Sequence, residues 1–213
     1  MMDLHFPDAQ GLDDLRTYVA RAKAADDDGA IRLQASGTTL AAYVGVLPGS
    51  GLMGEGAVIG LRAMPLAEAV EVDTTVSLAS VTDRLARGDG RTLSLPPTTV
   101  SVGWAAMAPP RSGWERVGSV TADEVYAVAR EGISQVASGA PSDAGGQAVA
   151  ALRRHVWGRL TTTTPPVPAG GAFAAYALGF AAPGSDVTVW THGRWTRLST
   201  TAGHVLIRGG IPA

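Results

Sequence analysis

The chain has 213 residues, 46% of them hydrophobic and 17% charged, with no cysteine and a formal net charge of −2. That is enough apolar material to bury a core without staples and too much for disorder, and the missing thiols exclude disulfides, zinc fingers, iron–sulfur ligation and cysteine nucleophiles. The near-neutral charge gives no global field for nucleic acid or an anionic membrane, no apolar run reaches the roughly 18–20 residues of a membrane span, and MMDLHFPDAQ lacks the basic and apolar parts of a signal peptide, so a cytoplasmic protein is expected.

After a short strand near Leu4–Phe6, residues 11–25 place Leu12, Leu15, Tyr18, Val19 and Ala22 on one helical stripe, closed by Asp26–Asp28 and Gly29. Three extended segments follow. Ile31–Ser36 alternates Ile31, Leu33 and Ala35 against Arg32, Gln34 and Ser36, while Thr39–Leu47 and Ala57–Leu66 are more apolar throughout, with a glycine-rich loop between these two. Val70–Ser77 alternates again, and Ser77 is placed to cap a helix carrying Leu78, Val81 and Leu85 up to Gly88. Thr92–Leu95 and Thr98–Trp104 read as two more strands, and Ala105–Gly113, with Pro109 and Pro110, as a boundary.

The second half restarts with a strand over Trp114–Val120 and a helix from Thr121 to Ser138, opened by a capping box of Thr121 and Glu124. Two further helical patterns, Val149/Leu152/Val156 and Phe173/Tyr176/Ala177/Phe180, are separated by a loop or linker over 161–171. Residues 187–208 read as a three-stranded meander whose His192-Gly193 tip sets Trp190 opposite Trp195, with His192 as a turn residue.

GSGLMG at 49–54 has the spacing of a dinucleotide-binding loop, and Glu71 and Asp73 lie about where a ribose-binding acid would sit. The fingerprint works only when the loop opens a helix, and Gly56, Gly60 and Pro65 with the pair Val58-Ile59 make residues 55–64 extended instead, so no nucleotide cofactor is expected. His5, His155, His192 and His204 lack metal-site spacing, and no G-x-S-x-G or Ser-x-x-Lys motif marks a nucleophile; neither metal nor catalytic residues are assigned. Arginines recur on the helices, and Arg84, Arg87, Arg153 and Arg154 are the candidates for anion or nucleic-acid contact. Acidic neighbours such as Asp13, Asp14 and Asp83 dilute that charge, so nucleic-acid binding at physiological salt is not expected.

The order strand, helix, three strands, then strand, helix and strands is similar to one domain of the DNA sliding clamps, built from two consecutive βαβββ units. The helix at 11–25 with IRLQASGTTLAAYV, set beside VDTTVSLASVTDRLARGDGRTLSL, carries that resemblance. It implies helices on one face of a mostly antiparallel sheet. The stretches GWERVGSVTADEV, AALRRHVWGR and GRWTRLSTTAGHVLIR resemble an uncharacterised family of bacterial proteins, from which no activity follows. The expectation is an α+β protein of two related halves, 1–108 and 109–213, the second with a helical insertion. Its expected role is non-enzymatic binding or scaffolding, through a protein partner or self-association. The alternative is a small-molecule enzyme, nucleotide-dependent or not, with its site at the junction of the halves.

Overall fold

A computed structural model describes residues 2–51, 53–88, 90–139 and 145–209. The chain divides into two compact units, Met1–Val46 with Gly60–Met107 and Leu47–Ile59 with Ala108–Ala213. The architecture is α+β with antiparallel strands throughout the paired registers.

In the first unit, helix α1 (Ala9–Ala25) begins two residues before the expected start, because Asp8 caps it by accepting from the Gly11 N–H at 2.9 Å. Its buried residues are Leu12, Leu15, Tyr18, Val19 and Ala22, the stripe that helical spacing predicts. Strands β2 (Ala30–Ser36), β3 (Thr39–Leu47), β4 (Val58–Pro65) and β5 (Val72–Ser77) lie in the order β5-β2-β3-β4. Burial alternates along β3 although its polarity does not, so Leu40, Ala42 and Val44 meet the core while Ala41 and Tyr43 are half-buried. Tyr18 reaches across from α1 to the Ala42 carbonyl at 3.4 Å. Helix α2 (Leu78–Arg87) is capped by Ser77, as its sequence indicates, and buries Leu78, Val81 and Leu85. Strand β1 (Asp3–His5) pairs antiparallel with β6 (Thr92–Ser94) as a separate two-stranded sheet.

The expected strand over Thr98–Trp104 does not form. Val100 donates one backbone hydrogen bond to Thr75, and the chain then winds into a 3₁₀ turn over Gly103–Ala106. This turn sets Trp104 against Gly45 of β3, and Arg32 ties it down by donating to the Ala105 carbonyl at 2.8 Å while forking onto Asp73. Tertiary anchoring of a tryptophan and a carbonyl outweighs the β-propensity of the segment.

In the second unit, β7 (Glu115–Thr121) leads into α3 (Ala122–Gly139), and α4 (Gly146–Gly158) and α5 (Ala169–Ala177) precede the meander β8 (Asp186–His192), β9 (Trp195–Ser199) and β10 (His204–Arg208), with strand order β10-β9-β8-β7. The capping box is present: Thr121 N–H donates to Glu124 Oε2 at 2.7 Å and Glu124 N–H to Thr121 Oγ1 at 3.2 Å. On α4, Val156 and Trp157 are the buried residues; Trp157 stacks on Phe173 with ring centroids 4.4 Å apart and lies over Gly132 of α3.

Helix α5 corrects two expectations. It starts at Ala169, inside the stretch read as a loop, and its fully buried residues are Ala169–Ala172, Ala174 and Ala175, whereas Phe173, Tyr176 and Ala177 are half-buried. The reason is close approach: a Cβ at Gly170 would stand 2.7 Å from Leu47 Cδ1, and one at Gly171 2.8 Å from Ile207 Cδ1. Small residues go to the tight side, and the rings fill the wider gap beside α3 and α4. The loop before α5 is also pinned, by the Leu160–Pro168 bridge and by Thr161 and Val167 bonding one another, so its backbone is not the unsatisfied linker its composition suggests.

Candidate interaction surface

Strands β8, β9 and β10 have one face under the helices and one face away from them. Val187, Val189, Leu198, Val205 and Ile207 are buried on the helix side, where Ile207 and Leu198 abut Gly171. The opposite face carries Thr188, Trp190 and His192 from β8, Trp195, Arg197 and Ser199 from β9, and His204, Leu206 and Arg208 from β10, by strand alternation; Trp195 and Leu206 are themselves buried, and the other seven are half-buried or exposed.

The hairpin tip lies one residue beyond its expected place. His192 pairs with Trp195, the turn is Gly193-Arg194, and Gly193 has φ 56, so glycine occupies the first turn position, where a II′ turn requires positive φ. The shift places Trp190 opposite Arg197 rather than opposite Trp195. His192 is thus the last strand residue and has no positive φ.

A bulge in β7 completes the face. Gly118 and Val120 pair with Val189 and Val187, on the helix side, and strict alternation would send Arg116 there too. The register shifts between Arg116 and Gly118, so Val117 is the extra residue and Arg116 pairs with Trp190 on the open face. Gly113, at φ 77, turns the chain into Trp114, and its carbonyl accepts from His192 Nδ1 at 2.6 Å, which fixes the proton on that nitrogen.

The result is an arginine seated on indoles. The Arg197 guanidinium carbon lies over the Trp114 ring at 4.6 Å from its centroid and over the Trp190 ring at 5.0 Å, and Arg208 lies over Trp195 at 5.4 Å. Burial holds the Arg197 guanidinium below its ordinary pKa. It holds the His204 imidazole below its usual range as well, with the Arg197 charge as a second cause, and His204 Nδ1 lies 3.0 Å from Ser199 Oγ. Among the described residues, none of Arg116, Arg197 and Arg208 has an ion pair with a carboxylate, and the covered Nε–H groups of Arg197 and Arg208 and the Trp190 Nε1–H have no acceptor. Every unmet group on this face is a donor.

The arginines singled out from the sequence lie elsewhere. Arg84 and Arg87 occupy the last turn of α2 in the first unit, and Arg153 and Arg154 are exposed neighbours on α4 in the second. Sequence reasoning missed Trp114, Arg116 and Arg197. The available signal was Gly118 inside a strand, the usual mark of a bulge.

The segment after GSGLMG leads into strand β4, and Ser50 and Glu55 exchange reciprocal backbone hydrogen bonds. No group of three or more metal-ligating side chains occurs among the described residues, and no described helix is long and apolar enough to cross a membrane.

Residues 1–106 match the family model of a domain of unknown function, DUF8010, and residues 109–211 match that of another, DUF8185. No curated protein matches the sequence. Among solved structures the chain is similar to a putative DNA polymerase III beta subunit from Eubacterium rectale, with TM-score 0.61, 10% identity and 100% of this chain aligned to 66% of that one. It is also similar to the DNA polymerase sliding clamp of Pseudomonas aeruginosa (TM-score 0.54, 12% identity, 98% of this chain and 66% of that one) and to the beta clamp of Helicobacter pylori (0.55, 8%, 100% and 65%). The fold is clamp-like, as the strand–helix order indicated, and the chain spans about two thirds of each clamp chain.

Proposed function

We propose that this protein is a non-enzymatic binding or scaffolding protein of the bacterial cytoplasm, built on a clamp-like fold, that engages a protein partner through the open sheet face of its second unit. The observation that carries this reading is the Arg197 guanidinium seated on Trp114 and Trp190 with no carboxylate partner among the described residues. Tryptophan and arginine dominate the energetics of protein interfaces, and a guanidinium already held by two rings loses little side-chain entropy on binding.

Action on DNA is a weaker reading. On α1 two of the three cations, Arg16 and Lys23, are ion-paired with Asp13 and Asp27, which reduces the charge there that could neutralise phosphates.

The test is a photo-crosslinking residue at Thr188, on the open face, compared with one at Ile133, which is 39% exposed on α3, in cells making the full chain. A discrete polypeptide adduct is expected from position 188 and not from 133, and it should vanish when Trp190→Ala and Arg197→Ala are added. An adduct indifferent to those two changes, or none at 188, overturns the reading.

A further inference from the structure

We infer that the occupant of the open face is an acidic peptide segment whose carboxylates pair with Arg197 and Arg116; this rests on the binding reading above and names its partner class. Among the described residues, the covered groups of this face that have no partner are all donors. Arg116, Trp190 and Arg197 form one cross-strand row, Arg116 pairing with Trp190 and Trp190 with Arg197. At the spacing of neighbouring strands, about 4.8 Å, the two arginine backbones stand roughly 10 Å apart across Trp190. Two cations at that separation, bridged by an indole, match side chains along one extended segment.

The geometry selects carboxylates on a chain over the other anions. With two indoles beside it and its Nε–H covered, the Arg197 guanidinium has its two terminal amino groups left for a partner, and that fork matches a planar carboxylate. A single-stranded nucleic acid would need indole faces on which to stack its bases, and here Arg197 lies over Trp114 and Trp190 and Arg208 over Trp195. A small free anion gains little from the surface of a sheet, because affinity for small ligands comes from concave enclosure, whereas a peptide can bury the half-exposed edges of Trp114 and Trp190 along its length. Charge is complementary on the larger scale too: the second unit holds nine of the 17 cationic residues and seven of the 19 acidic ones, against an acidic excess in the first unit.

The experiment is fluorescence anisotropy on the full chain with three labelled probes: a glutamate–alanine alternating peptide, its glutamine–alanine counterpart and an oligothymidylate. Binding of the glutamate peptide is expected, about tenfold or more tighter than the glutamine peptide, with a comparable loss in Arg197→Gln. Arg116 is exposed and, among the described residues, makes no side-chain hydrogen bond or ion pair that the fold would lose, so Arg116→Gln keeps the test valid should Arg197→Gln unfold. The same weakening is expected there. Equal binding of both peptides, binding unchanged in both variants, or oligothymidylate bound more tightly than the glutamate peptide overturns the proposal. If the glutamate peptide fails to bind while the Thr188 adduct still depends on Arg197, the partner class is wrong and the binding face stands; loss of both removes the face as well.

Discussion

Trp104 lies directly against Gly45: a Cβ built on the glycine would stand 2.5 Å from the indole Cδ1 and Nε1. Gly45 has no positive φ, so space rather than backbone freedom fixes the residue there. An alanine at 45 should therefore destabilise the protein by about 2 kcal/mol, within the range of overpacking, although alanine suits a strand better than glycine. The two effects separate in a double-mutant cycle. Urea unfolding should show Gly45→Ala costly in the parent and neutral or stabilising in a Trp104→Ala background; equal costs in both would mean the two residues do not press on each other.

The capping box of α3 supplies a second expectation. Thr121 and Glu124 satisfy one another's backbone donors, so Thr121→Ala should cost about 1 kcal/mol. Glu124→Gln retains an acceptor for the Thr121 N–H and should cost less than Glu124→Ala. Denaturation midpoints at constant slope would check both, and an order in which glutamine is the worse replacement would show that charge rather than the reciprocal bond sets the cap.

A third expectation concerns pH. His204 has its pKa lowered in the folded state, first by burial and then by Arg197, so the unfolded chain binds its proton more readily. Stability from this group is complete above the unfolded value of about 6.5 and is lost as pH falls through that value towards the lower folded one. Unfolding midpoints measured between pH 7.5 and 5.5 should fall on acidification, and the fall should be shallower in His204→Gln. Parallel profiles for parent and variant would contradict the assignment.

Where side-chain period alone decides, the fold was legible. The α1 stripe, the Ser77 and Thr121 caps and the alternation of β2 rest on local rules, and each is present at its residues. What failed depended on partners distant in sequence. Residues 98–104 had strand composition, yet Gly45 and Arg32 dictate a turn there. The α5 pattern pointed to its aromatic residues, but contact with Leu47 and Ile207 gives the tight side to glycine and alanine.

The candidate surface shows the same division. Trp190 was noticed because it sits in a readable strand, but its partner was displaced by a turn one residue later than expected, and one slip exchanges every cross-strand neighbour. Arg116 was hidden by parity, since only an extra residue in β7 brings it to the Trp190 side. Neither event leaves a period in the sequence; each is a single irregularity at a glycine.

The Leu47–Ile59 segment clusters with the second unit although both of its chain neighbours cluster with the first. A ribosome makes it early, while the groups it meets come late: Leu47 and Val58 abut Gly170, and Gly56 and Ala57 exchange backbone bonds with Arg208. Nascent chains fold in the order in which partners emerge, and contacts this far apart in sequence are slow to close. Leu47 and Val58 therefore wait, short of their Gly170 cover, through most of synthesis, and helix α5 ends that wait, while β10 closes the backbone bonds of Gly56 and Ala57. A chain stalled before Gly170 would leave those two apolar residues short of part of their cover, an exposed hook for chaperones that a longer chain withdraws.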